Sequence, residues 1–283
     1  MNKDQSLYQG LLKTIGNRSL PTHLRTCVAG ETFARADSAS FRAAHPFPHV
    51  VLDDFLSPEY CQQLLKDFPP FHPEYAVDEN GAIGGKATHS DIRSIGPAYR
   101  KLDELIQTRA FLDLMSSVTG IPDLLYDPEY LGGGTHENLD GQSLDFHVDF
   151  NYHHKRRWHR RINLILFLNE HWEEDWGGCL ELRENPGQPG DVRLPPRFNR
   201  AVIFETNEVS WHGFSKVSLP AGSNVSRKTV ALYFYTEDRP VEEKAPPRST
   251  VYVEEFLPDH LVEGHTLSAD DMAILRSLVD RRD

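Results

Sequence analysis

The hydrophobic period changes once along this chain, and that change limits the fold more than any other feature. From residue 58 to 68, and again from Pro97 to Val118, apolar side chains recur every three to four positions. Tyr60, Leu64, Leu65 and Phe68 form one such row, and Leu102, Leu105, Ile106, Phe111, Leu112 and Met115 a second, the spacing of helices with one buried face. Ser57-Pro58 supplies an N-cap and a proline at the first helical position of the first row. Gly120-Ile121-Pro122 closes the second. Thereafter the spacing falls to two, with candidate strands at Leu144–Asn151, Ile162–Leu168, Cys179–Leu182, Ala201–Glu205 and Thr229–Tyr235. Helices followed by a run of short strands predict a mainly β, α+β domain: a sandwich or barrel with helices on one face. Pro46 to Leu56 reads as a short buried strand before the first helix.

The ends are less constrained. Leu7, Leu11, Leu12 and Ile15 suggest a weak amphipathic helix, and Ser268-x-x-Asp271 a capping box opening a last helix through Met272, Leu275 and Leu278. Residues 69–96, rich in Pro, Gly and His, are expected to form a loop, and Phe71–Gly96 is a candidate substrate lid. Pro240 to Pro247 reads as a linker.

Composition removes whole classes. The 283 residues carry a formal net charge of −12, which disfavours general binding to phosphate backbones. No apolar run approaches the roughly 20 residues of a membrane helix, and the first residues lack a signal-peptide layout. Three scattered cysteines, Cys27, Cys61 and Cys179, suggest a reducing, cytoplasmic setting and exclude a thiolate-built metal site.

Chemistry concentrates in Leu144-Asp145-Phe146-His147-Val148-Asp149-Phe150-Asn151. Strict alternation would put Leu144, Phe146, Val148 and Phe150 on the core face, with Asp145, His147, Asp149 and Asn151 opposite. An imidazole and a carboxylate two residues apart can converge on one ion. His212, beside Gly213 at the exit from the Ala201–Glu205 strand, supplies a third ligand. Two histidines and a carboxylate make the facial triad of non-haem Fe(II) oxygenases. His-x-Asp alone is common by chance, and the ordered set gains weight from an arginine downstream. Arg227 opens the run Arg227-Lys-Thr229-Val-Ala-Leu-Tyr-Phe-Tyr235, where Arg227 and Thr229 share a face. A guanidinium fork with a hydroxyl beside it suits a dicarboxylate.

With these residues in order, the sequence resembles the Fe(II)- and 2-oxoglutarate-dependent dioxygenases, prolyl 4-hydroxylase-like branch. The likeness runs from Pro46 to Thr236 and includes Gly132-Gly133-Gly134, His147-x-Asp149, Trp176-Gly177-Gly178-Cys-Leu180, His212-Gly213 and Arg227-x-Thr229. It implies a double-stranded β-helix (jelly-roll, cupin-like) with supporting N-terminal helices and a C-terminal helix. The expected division is a helical extension at 1–45, the oxygenase domain with its supporting helices at 46–240, and a C-terminal extension at 241–283. The resemblance also implies that His147, Asp149 and His212 bind Fe(II), that Arg227 and Thr229 hold 2-oxoglutarate, and that Asn163 neighbours the cosubstrate. O2 completes the set, with ascorbate as an optional stimulant. The interval from His212 to Arg227 is longer than is usual in this branch, so the Pro220–Val225 insert leaves Lys228 as an alternative to Arg227. Because Asp149 is a carboxylate rather than a small residue, hydroxylation is favoured over halogenation; desaturation and cyclisation stay open. The expected substrate is peptidyl, an amino acid or a small molecule. The competing reading is a metal-binding cupin-type isomerase, sugar-binding protein or sensor, which has no need of Arg227-x-Thr229.

Two further segments stand out. His153 to Arg161 is a basic island with Lys155, Arg156, Arg157, Arg160 and Arg161, read as a solvated connection or a lip that attracts acidic molecules. His136 follows the glycine run, where a structural role or an approach to the cosubstrate are both open.

Overall fold

The structure, a computed structural model, describes residues 20–33, 35–76, 86–187, 190–253 and 264–272. Two antiparallel sheets face each other, with helices on the outside of the larger one. Helices α1 (Ser38–Ala43), α2 (Pro58–Lys66), α3 (Pro97–Ile106) and α4 (Arg109–Thr119) form that outer layer. The Ser57 hydroxyl accepts from the Tyr60 N–H, so the expected cap is present. The single helix expected from Pro97 to Val118 is two: Gln107 ends α3, and Thr108 caps α4 by accepting from the Phe111 N–H. A side-chain cap of this kind is worth about 1 kcal/mol, and a constant helical period in the sequence conceals the break.

The strands, in chain order, are β1 (His49–Leu52), β2 (Ala87–His89), β3 (Leu125–Tyr126), β4 (Gly134–Asn138), β5 (Leu144–Val148), β6 (His159–Phe167), β7 (Leu180–Arg183), β8 (Val192–Leu194), β9 (Arg200–Glu205), β10 (Trp211–Phe214), β11 (Arg227–Thr236) and β12 (Val251–Tyr252). The larger sheet runs β1-β9-β6-β11-β4-β2, with β3 also on β11; the smaller runs β12-β5-β10-β7-β8. This is the double-stranded β-helix expected from the sequence.

Alternation along β6, β9 and β11 decides what the large sheet covers. Ile162, Leu164, Leu166, Ala201, Ile203, Val230, Leu232 and Phe234 pack outward against Phe111, Met115, Leu102 and Leu105 of the helices. Facing the small sheet, Phe167, Val202 and Phe204 join Phe47, Leu180 and Leu182 in a second, smaller core that closes one end between the sheets. Burying each such side chain contributes about 1.5–3 kcal/mol.

Several expectations change. The loop 69–96 contains β2 and a helical turn, Ile92–Ile95. The linker expected at 240–247 is tied down, because Arg239 and Arg161 both reach Glu243. Leu7 to Ile15 lies outside the described residues, as does most of the last helix. Its capping box is present: the Asp271 N–H donates to the Ser268 hydroxyl, and the Ser268 N–H donates to the Asp271 carboxylate. Among the described residues no helix is long and apolar enough to cross a membrane.

Candidate active site

His147 and Asp149 leave β5, and His212 sits within β10 rather than at a strand exit; His147 and His212 are directly opposite in the ladder. Their rings lie 4.3 Å apart between centroids. One donor atom from each of His147, Asp149 and His212 falls within 4.8 Å of the others, and all three residues are buried. The tautomers suit a cation. His147 Nδ1 bonds the Asp145 carbonyl at 2.8 Å, and His212 Nδ1 bonds the Ser210 carbonyl at 2.9 Å. Both Nε2 lone pairs are therefore directed at Asp149, 3.7 and 3.4 Å away. Such a carbonyl behind the imidazole fixes a ligating histidine. Burial, helped by the neighbouring His147, pushes His212 down to about 4, so it is neutral and able to ligate at physiological pH. The donor set of two imidazoles and one carboxylate fits ferrous iron with an open face.

A β-bulge brings this about. Between Phe214↔Leu144 and His212↔His147, β5 has one residue more than β10. Parity along β5 breaks there, so Leu144 lines the pocket beside His147 instead of facing the core. That overturns the strict alternation expected from the sequence, a re-aiming that bulges commonly perform near sites. Gly213 permits it: a Cβ there would come within 2.7 Å of the Leu144 carbonyl. Asp145 points to solvent, and Asn151 leaves the pocket as well. The Asn151 amide donates to the Pro246 carbonyl, and its oxygen accepts from the Arg248 N–H.

Asp149 is held from behind. The Asn163 amide donates to Oδ2 at 2.7 Å, and Arg160 reaches the same oxygen at 3.1 Å. Arg160 also grips the Asn163 oxygen, while its guanidinium lies 3.6 Å from the Tyr233 ring centroid and 4.4 Å from that of Phe150. Burial opposes ionisation of Asp149, but Arg160, His212 and His147 outweigh it and hold the carboxyl well below its usual range. Asn163 thus neighbours the carboxylate directly.

Arg227 is the other organised cation. Its Nε donates to the Gly178 carbonyl at 2.7 Å, and its guanidinium stands 4.0 Å from the Phe214 ring centroid. Burial pushes its pKa down to about 9, so it stays cationic at neutral pH. Arg227 and Thr229 both line the pocket that holds His147, Asp149 and His212. Lys228 points the other way, paired with Glu137 and Ser226, so Arg227 is the cation on the pocket face.

The basic island divides. Residues 154–157 are exposed, whereas Arg160 and Arg161 are buried in β6. His153 is buried against Asp127 at 3.2 Å. His136 lines the pocket and contacts the Gly132 carbonyl at 3.0 Å. Sequence reasoning missed Lys86, Arg160, Tyr233, Thr250 and Tyr252, all of which also line the pocket. Thr250 and Tyr252 arrive from the C-terminal segment, where β12 pairs with β5 and the Tyr252 ring lies 5.3 Å from His147.

Among known families, the model of the 2OG-Fe(II) oxygenase superfamily matches residues 134–235, the stretch from β4 to β11 that holds the triad, Arg227 and Thr229. That match implies Fe(II), 2-oxoglutarate and O2, and the donor geometry above fits them. Prolyl 3-hydroxylase OGFOD1 of Mus musculus is 36% identical over 80 residues, which are 27% of this chain and 14% of that protein. The Xenopus laevis protein of the same name is 42% identical over 62 residues, 20% of this chain and 12% of that protein. The chain therefore spans only a small part of the curated relatives it matches. Among solved structures, a viral collagen prolyl hydroxylase from Paramecium bursaria Chlorella virus-1 aligns at a TM-score of 0.44 and 15% identity, covering 66% of this chain and 95% of that one. A Pseudomonas putida prolyl-4-hydroxylase aligns at 0.45 and 15%, covering 70% and 98%.

Proposed function

We propose that the chain is an Fe(II)- and 2-oxoglutarate-dependent dioxygenase that hydroxylates an unactivated C–H bond, releasing succinate and CO2. The observation that carries this is one pocket holding both a His147, Asp149, His212 cluster and the dicarboxylate-type cation Arg227. A cupin-type isomerase or sensor needs the cluster but not the cation.

In this reading His147, Asp149 and His212 ligate the iron through Nε2, a carboxylate oxygen and Nε2. Asn163 and Arg160 orient Asp149 by occupying Oδ2. Arg227 binds the distal carboxylate of 2-oxoglutarate, and Thr229, one step along the same face of β11, adds a hydroxyl. The bound metal and cosubstrate supply the oxidising chemistry. The protein's part is position and dryness: Phe214 and Leu180 wall the pocket beside Arg227, and Tyr252 and Thr250 narrow it beside His147.

The functional unit is taken as 46–240, completed by the strap at 246–253. A peptidyl, amino-acid or small-molecule substrate is supported by the prolyl hydroxylase names of the relatives. Free, buried Cys27, Cys61 and Cys179 support a reducing, cytoplasmic compartment. The test is succinate formation from 2-oxoglutarate by Fe(II)-loaded protein against candidate substrates. Absence of 2-oxoglutarate binding would refute the reading.

A further inference from the structure

One cation of the pocket has no task in this scheme. β2 pairs with β4 as Ala87↔Glu137 and Thr88↔His136, and β4 pairs with β11 as His136↔Thr229 and Asn138↔Arg227. One step further along β2, Lys86 stands in the row of Asn138 and Arg227. Residues opposite each other in a ladder share a face, so Lys86 points to the inner side, and it lines the pocket with Asp149, Arg160 and Arg227.

Its neighbours are spoken for. Arg160 is bonded to Asn163 and Asp149 between two rings. Arg227 is fixed by Gly178 and serves the cosubstrate. Lys86 makes no hydrogen bond or salt bridge among the described residues. Burial pushes its pKa down to about 8 against the attraction of Asp149, so it remains mainly charged at neutral pH.

Charge accounting then points outward. Among the described residues, Asp149 is the sole carboxylate lining the pocket, against Lys86, Arg160 and Arg227. The ferrous ion and the 2-oxoglutarate dianion cancel each other, so among the described residues the loaded site still carries surplus positive charge. An unpaired ammonium in such a place is costly unless a partner arrives. The excess is also local, because the chain as a whole carries −12.

We propose that Lys86 anchors an anionic group of the substrate, a carboxylate in the first instance, so that this site oxidises acids rather than neutral residues within a peptide. This rests on the dioxygenase reading and names its substrate class.

The experiment measures calorimetric binding to protein loaded with redox-silent Mn(II) and 2-oxoglutarate. The probes are pairs differing only in charge: N-acetyl-L-proline against its amide, and N-acetyl-L-glutamate against N-acetyl-L-glutamine. The acid of at least one pair binds about tenfold tighter than its neutral partner, the scale of one charge-assisted hydrogen bond. Lys86→Met removes that preference and Lys86→Arg restores it, with thermal melts confirming folded protein. Equal binding within both pairs, no binding by any probe, or a preference that survives Lys86→Met overturns the proposal. So does a loss of 2-oxoglutarate affinity in Lys86→Met as large as that in Arg227→Ala, which would assign Lys86 to the cosubstrate. Failure of the wild type to bind 2-oxoglutarate is a separate result, and it removes the dioxygenase reading itself.

Discussion

The two faces of strands β6 and β11 are made from the same backbone and do opposite work. Outward, Leu164, Leu166, Val230 and Leu232 are fully or almost fully buried against helices. Inward, Asn163, Arg227 and Thr229 are buried nearly as completely but line a cavity. Burial alone therefore does not separate core from site. The outer face is satisfied by packing within the chain. The inner face holds polar groups aimed at one another or at a ligand, and the stability to keep them there comes from the outer face.

That contrast can be broken by experiment. His147→Ala is expected to abolish metal binding and turnover while the melting temperature stays close to wild type; calorimetry with Mn(II) and a succinate assay check it, and a collapsed fold would merge the two faces. Arg227→Ala is expected to weaken 2-oxoglutarate by about 10- to 100-fold, the range of hydrogen bonds to charged groups, with Mn(II) affinity nearly unchanged. Arg160→Met releases one side of Asp149 and is expected to lower metal affinity by about tenfold, as for outer partners of ligands elsewhere. Leu164→Ala, on the other face, is expected to cost about 2–5 kcal/mol by denaturant titration, with activity per folded molecule retained. The last effect concerns pH. In metal-free protein His212 has its pKa lowered from 6.5 to about 4. Between those values the unfolded chain binds the proton and the folded one does not, so stability falls as pH drops from 6.5 towards 4. A flat melting profile across that window would show that His212 is more hydrated than its burial implies.

The architecture was legible in the sequence because periods of 3.6 and 2 report directly on which face is buried. The clustering of His147, Asp149 and His212 was legible for a related reason: the two histidines are chemically distinctive at any register. Residues set by bulges were not. In β5 one extra residue brings Leu144 onto the pocket side. In β6 the register shift between Phe234 and Tyr235 places Arg160 opposite Tyr235, with Arg161 left over, and so turns Arg160 inward to Asn163. Period-two counting puts Arg160 and Asn163 on opposite faces, and a charged island looks solvated. Lys86 was hidden for a different reason. It lies in a stretch with no period, and only its pairing with β4 reveals which way it points.

The C-terminal strap changes how the small sheet ends. Without β12, β5 would be an edge strand with open hydrogen-bonding groups, a template for joining another chain. Instead the Val253 N–H donates to the Phe146 carbonyl, and Arg248 donates to the backbone carbonyl of Asp149 while bridging to Glu208. A proteolytic nick just after Lys244 would therefore do two things at once. It would bare a sticky strand edge, and it would leave the main chain at Asp149, in the His147, Asp149, His212 cluster, without its brace.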